Sequence, residues 1–147
     1  GVMPIHKTKE GLKEPMLAGL PETLYAVDSP DYQILSPNEA KLWSGGGHVL
    51  CMEKFRPLVR LERAIMAIRF DEAIFGMQFH GEADSDGMYR YLLREDKKKM
   101  VVEKYSEKKY VQMVQYLNDP DKIRLTYSTI VPNFLKSASQ VAANVTV

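Results

Sequence analysis

"AIFGMQFHGEAD", residues 73–84, holds the transition that decides the fold. Its first seven residues, Ala73–Phe79, form an apolar run enriched in aromatic and β-branched side chains, the composition of a strand. Beyond residue 83 the apolar spacing becomes helical. His80 and Glu82 stand at the seam, on either side of Gly81. The order is strands first, then helices, with two polar and chemically capable side chains where one regime gives way to the other.

Working upstream, short apolar runs alternate with turn signals. "HVLCMEKF" (48–55) and "RAIMAIRF" (63–70) read as strands, and "TLYAVDS" (23–29) and "YQIL" (32–35) as two more. "GVMPIHKT" (1–8) reads as a strand in which Pro4 must occupy an edge or a position that donates no ladder bond. "EPMLAGLPE" (14–22) is a short helical turn closed by Gly19 and Pro21. The connections have the lengths of hairpins and meanders, and no internal repeat is present.

Downstream, Met88, Tyr91 and Leu92 share one helical face. Tyr110, Val111, Val114 and Leu117 share another. Ile123, Tyr127, Ile130, Val131, Phe134 and Leu135 extend a third stripe, capped by Asp119 or Asp121 with Pro120 near its first turn. This stripe predicts burial of Ile123, Tyr127, Ile130 and Phe134. Pro132 lies inside it and predicts a kink or a break. The chain thus divides into an α/β portion with short strands (1–95), a helical extension (96–140) and a tail (141–147) expected to fray.

Bulk properties narrow the function classes. The chain has 147 residues and a net charge of +1, so no global field draws it to nucleic acid or to a membrane. One cysteine, Cys51, excludes an internal disulfide framework and a Cys-rich zinc site. No 18-residue apolar run and no signal peptide are seen, and a cytoplasmic location is the expectation. His6, His48 and His80 lack metal-ligand spacing, so no metal and no cofactor are expected. "SGGGHV" (44–49) lacks the lysine and following helix of a phosphate loop and reads as a flexible turn. The lysines of "EDKKKMVVEKYSEKKY" (95–110) alternate with acidic residues at helical spacing, as on a solvated helix face.

The seam carries the chemistry. Alternate residues of a strand point to one side, so His80 and Glu82 can meet across Gly81. Imidazole is the usual general base near neutral pH, and a carboxylate on its second nitrogen fixes the tautomer. Such a pair serves a nucleophile. On spacing alone a polar strand end remains the commoner meaning of His-x-Glu.

Gly76, Gln78, Phe79, His80 and Glu82 match the G-x-Q-F-H-P-E strand of class I glutamine amidotransferases. Thr8, Gly11, Pro15, Leu17, Gly19, Leu20 and Pro21 stand in the order of the family's T-x-x-G … P-L-x-x-G-L-P segment. Residues 1–95 therefore resemble the C-terminal half of that domain, nearest to the glutaminase domains of GMP synthases. The resemblance implies half of a three-layer, flavodoxin-like α/β fold, followed here by a helical extension. It implies glutamine amide hydrolysis through a Cys-His-Glu triad, with His80 the base and Glu82 its orienter. It also implies glutamine as substrate and a synthetase partner for the ammonia. Asp28, Asp31 and Tyr32, in "VDSPDYQ" (27–33), match a segment near the family's glutamine site and are candidate substrate contacts.

Two departures qualify the resemblance. The family's G-x-C-x-G-H-Q nucleophile elbow is absent, and Cys51, within "HVLCMEK", has no flanking glycine to make that turn. It reads as a buried, inert thiol. Gly81 stands where the family has proline, which loosens the backbone between the pair. The expectation is a chain inactive alone, completed by a nucleophile-bearing segment or partner, with homo-oligomerisation as another way to cover exposed sheet. The alternatives are a non-catalytic interaction module that keeps the fold and a γ-glutamyl hydrolase-like enzyme.

Overall fold

The computed structural model describes residues 1–28, 32–58 and 60–145, the last five by backbone alone. Five strands form one sheet: β1 (Val2–Lys7), β2 (Thr23–Val27), β3 (His48–Glu53), β4 (Ile65–Arg69) and β5 (Phe75–Met77). Their order is β2-β1-β3-β4-β5, and every ladder is antiparallel. Parallel neighbours need long crossovers. The short connection from β3 through β4 to β5 produces a meander instead.

The sheet curls, because the His80 amide donates to the Val27 carbonyl at 2.8 Å and so links the ends of its two outermost strands. Pro4 lies in β1, an interior strand flanked by β2 and β3. Lys7 N–H donates to Glu22 O, and Asp28 N–H to Gly1 O, so the bonds to β2 fall on odd-numbered residues of β1. Pro4 would face β3, but that ladder begins at Ile5. Its missing N–H therefore costs no bond, as the sequence requires. Gly11 is forced by close approach: a Cβ there would sit 1.9 Å from the Leu50 carbonyl oxygen.

Segment 32–35 is not a strand. Ile34 takes part through single contacts, its carbonyl accepting from Ile65 N–H at 2.9 Å. A six-residue helix that the sequence pattern does not announce, α1 (Glu39–Ser44), follows, capped by Asn38. The glycines of "SGGGHV" end it, with the Gly45 and Gly47 amides donating to the Leu42 carbonyl.

The helical part comprises α2 (Ser85–Leu92), α3 (Glu95–Lys104), α4 (Glu107–Asn118), a wide turn at Pro120–Arg124 and α5 (Leu125–Val145). Two apolar clusters result. One joins Ile5, Leu24, Leu50, Cys51, Phe79 and Ile130, tying the sheet to α5. The other joins Val2 and Val27 to Leu92, Val101, Leu117 and Ile123, tying the sheet to α2, α3 and α4. Asn133 of α5 donates through Nδ2 to the carbonyls of Pro15, Met16 and Ala18, where the turn at Pro15–Leu17 ends.

The last stripe is buried only in part. Ile123 and Ile130 are buried, whereas Tyr127 and Phe134 are about half exposed. Thr126 takes the place predicted for Tyr127 and donates to the Tyr25 carbonyl at 2.7 Å. Ile123, Thr126 and Ile130, at i, i+3 and i+7, form the buried face, and the break at Lys122, which has non-helical φ and ψ, lies just before it. Asp119 accepts from the Asp121 amide as the predicted cap. The helix runs through Pro132 and continues to Val145. Of the tail expected to fray, 146–147 lie outside the described residues.

Candidate functional site

Strand β5 ends at Met77, and the chain then makes the bridge to β2 that fixes the backbone of His80. Phe79 points into the core and anchors the turn. Beyond it, Asp84 caps α2, accepting from the amides of Asp86 and Gly87. His80 and Glu82 are thus held between a strand end and a capped helix.

Their side chains meet, with Nδ1 of His80 2.9 Å from Oε1 of Glu82. A carboxylate only accepts, so Nδ1 carries a proton, and in the neutral form of the ring the lone pair is on Nε2. This hydrogen bond is the main reason the Glu82 carboxyl lies below its ordinary range. Both side chains are more than half exposed, 55% and 66%. Among the described residues no hydrogen bond engages Nε2 of this accessible histidine.

Gly81 makes this turn compact. A Cβ at this position would lie 3.1 Å from the Met77 thioether and 3.5 Å from Ile130 Cδ1. Methionine is flexible, so a larger residue needs its tip to move rather than the backbone.

The two sequence segments singled out, 27–33 and 76–82, are brought together. Besides the Val27–His80 bridge, the Gln78 side chain clasps the neighbouring segment. Its Oε1 accepts from Ile34 N–H at 3.3 Å and its Nε2 faces Tyr32 O at 3.5 Å. Sequence reasoning noted Gln78 only as a motif position. No local signal marks the clasp, because its partners lie more than forty residues away in the sequence.

The candidate substrate contacts differ in placement. Asp28 is buried, 3% exposed, with its amide bonded to the Gly1 carbonyl. Tyr32 is 89% exposed. Asp31 lies outside the described residues.

Cys51 occupies the middle of the sheet. Its side chain is fully buried in the first cluster, and burial pushes its thiol up to about 12. A thiol so placed supplies neither thiolate nor access. Among the described residues no group of three His, Cys, Asp or Glu side chains stands ready for a metal, and no helix is long and apolar enough to cross a membrane.

Comparison with known proteins yields a fold-level likeness. The solved structure of SMU.1228c matches with a TM-score of 0.52 at 15% identity, over 86% of this chain and 49% of that one. This chain therefore spans about half the length of that relative. No protein-family model matches, and no curated protein matches in sequence.

Proposed function

We propose that this chain supplies the histidine–glutamate part of a class I glutamine amidotransferase or glutaminase site, within one half of a three-layer, flavodoxin-like domain. The observation that carries the proposal is the 2.9 Å contact between His80 Nδ1 and Glu82 Oε1 at an exposed strand end. The motif residues Gly76, Gln78, Phe79, His80 and Glu82 support it.

His80 Nε2 takes the proton of an incoming thiol. The sulfur attacks the side-chain amide of glutamine, the C–N bond breaks, and the imidazolium returns the proton to the leaving ammonia. Water, activated by the same nitrogen, then hydrolyses the thioester to glutamate. Glu82 holds the ring and stabilises its charged form. The thiol comes from outside the described residues, because Cys51 is buried. The chain alone is therefore inactive.

The burial of Cys51 also favours a second reading, an interaction module in which the pair is retained without chemistry. Nitrogen-15 NMR of the imidazole distinguishes them at the level of the base. The catalytic reading expects a neutral His80 protonated on Nδ1, with that tautomer weakened in Glu82→Gln. A neutral ring protonated on Nε2 and indifferent to Glu82→Gln removes the base from the reading.

A further inference from the structure

A small apolar pocket of about 200 Å³ opens beside Glu82, between β5 and α5. Phe75 and Met77, two apart on β5, turn to one face. There they meet Met16 of the turn at Pro15–Leu17, and Ile130 and Phe134 of α5. Met16 and Ile130 are buried and form the floor, whereas Met77 and Phe134 are exposed at the mouth. Among the described residues, Glu82 is the one charged side chain in the lining. Its carboxyl stays ionised because the His80 hydrogen bond holds it below its ordinary range. His80 meets Oε1, and a carboxylate has lone pairs for further donors.

We propose that this pocket binds a small aryl-alkyl monoamine as its ammonium ion, with the ring among Met16, Met77 and Phe134 and the nitrogen at Glu82. Three features select this ligand. The volume lies below the roughly 300–1,000 Å³ of sites for drug-sized molecules, so the arm is one ring rather than several. Methionine sulfurs and phenylalanine rings both make attractive contacts with an aromatic ring. A single carboxylate beside an apolar floor matches one positive charge and disfavours an anion. The Arg69 guanidinium, 5.3 Å from the Phe75 ring centroid, is neutralised by Glu14 and leaves the charge of the pocket to Glu82. The site stands apart from the thiol chemistry proposed above, since the ammonium needs only the carboxylate.

The test is NMR of the 147-residue chain with carbon-13 in its methionine methyl groups, titrated with phenethylammonium at neutral pH. The proposal expects saturable shifts at Met16 and Met77 with a Kd below about 1 mM, and none at Met100 on α3. Methylammonium, which has the charge without the arm, should bind at least tenfold more weakly. Phenylethanol, which has the arm without the charge, should bind at least about threefold more weakly, and Glu82→Gln should weaken phenethylammonium by as much. Phe134→Ala should weaken it too, whereas Leu135→Ala, next to it on α5 but outside the lining, should not. Absence of saturable shifts at Met16 and Met77, or equal shifts at Met100, overturns the proposal. So does phenylethanol binding as tightly as phenethylammonium, or phenethylammonium binding indifferent to Glu82→Gln or to Phe134→Ala.

Discussion

Cys51 and His80 belong to the same curled sheet and have opposite fates. Cys51 sits in β3, with β1 and β4 on either side, fully buried. His80 follows the short edge strand β5 and turns its ring outwards to Glu82. Both residue types serve nucleophilic chemistry, yet only the one at the strand exit is accessible. Position in the sheet, rather than residue type, decides which side chain is available to a substrate. Core residues around Cys51 should therefore govern stability, and residues at the exit should govern chemistry while contributing little to stability.

The largest expected effect lies beneath the exit. Ile130 is 2% exposed and shares the cluster that holds Cys51. Ile130→Ala should cost about 2–4 kcal/mol in a denaturant melt. Phe134→Ala, one turn on and 51% exposed, should cost under about 1 kcal/mol. Equal costs would mean that α5 packs through the whole stripe.

Breaking the ion pair between Glu14 and Arg69 should come next. Glu14 accepts from Arg69 Nε at 3.1 Å and from the Met16 amide at 3.0 Å, with 5% of its side chain exposed. Glu14→Gln leaves Arg69 without its carboxylate and should cost about 2–3 kcal/mol. A loss below about half a kcal/mol would place this pair with ordinary surface ion pairs.

Cys51 sharpens the comparison through pH. The unfolded thiol ionises in its ordinary range, whereas the folded one keeps its proton up to about 12. Its folded-state value is raised, so its contribution to stability is complete below the ordinary thiol range and is lost as pH rises towards about 12. Wild type should therefore lose more stability than Cys51→Ala across that alkaline interval. Native Cys51 should also react with a thiol reagent slower than the unfolded chain, by a factor on the order of 10³. Immediate labelling at neutral pH would show the thiol to be accessible.

The smallest effect belongs to Glu82. Its carboxyl is held low chiefly by the His80 hydrogen bond, so its contribution is present above the ordinary carboxylate range and is lost as pH falls through the lowered value. At 66% side-chain exposure, solvent screens most of it, and Glu82→Gln should change stability by under about 0.5 kcal/mol. A large loss would make the pair structural.

The sequence carried the strands because their apolar runs and turn residues agree with the contacts they make. Pro4 is the clearest case, its constraint met at a position where no partner strand waits. Segment 32–35 has strand composition but bonds singly to Ile65 and Gln78, a tertiary arrangement that no local pattern encodes. Helix α1 is short and buries no residue completely, so it leaves no apolar period to read. Tyr127 and Phe134 share the apolar spacing of Ile123 and Ile130 but lie beside the face that Thr126 completes, and apolar periodicity passes over a buried threonine. At the site, the spacing of two residues foretold the His80–Glu82 contact, whereas the clasp made by Gln78 depends on a segment more than forty residues away.

Ammonia release from glutamine by the purified 147-residue chain, beside its Cys51→Ala variant, tests the central claim most directly. The account predicts no turnover above the blank for either, because an accessible base without an accessible thiol cannot form the thioester. Turnover by the wild-type chain that disappears in Cys51→Ala would contradict it, since a thiol in the middle of the sheet would then be the nucleophile.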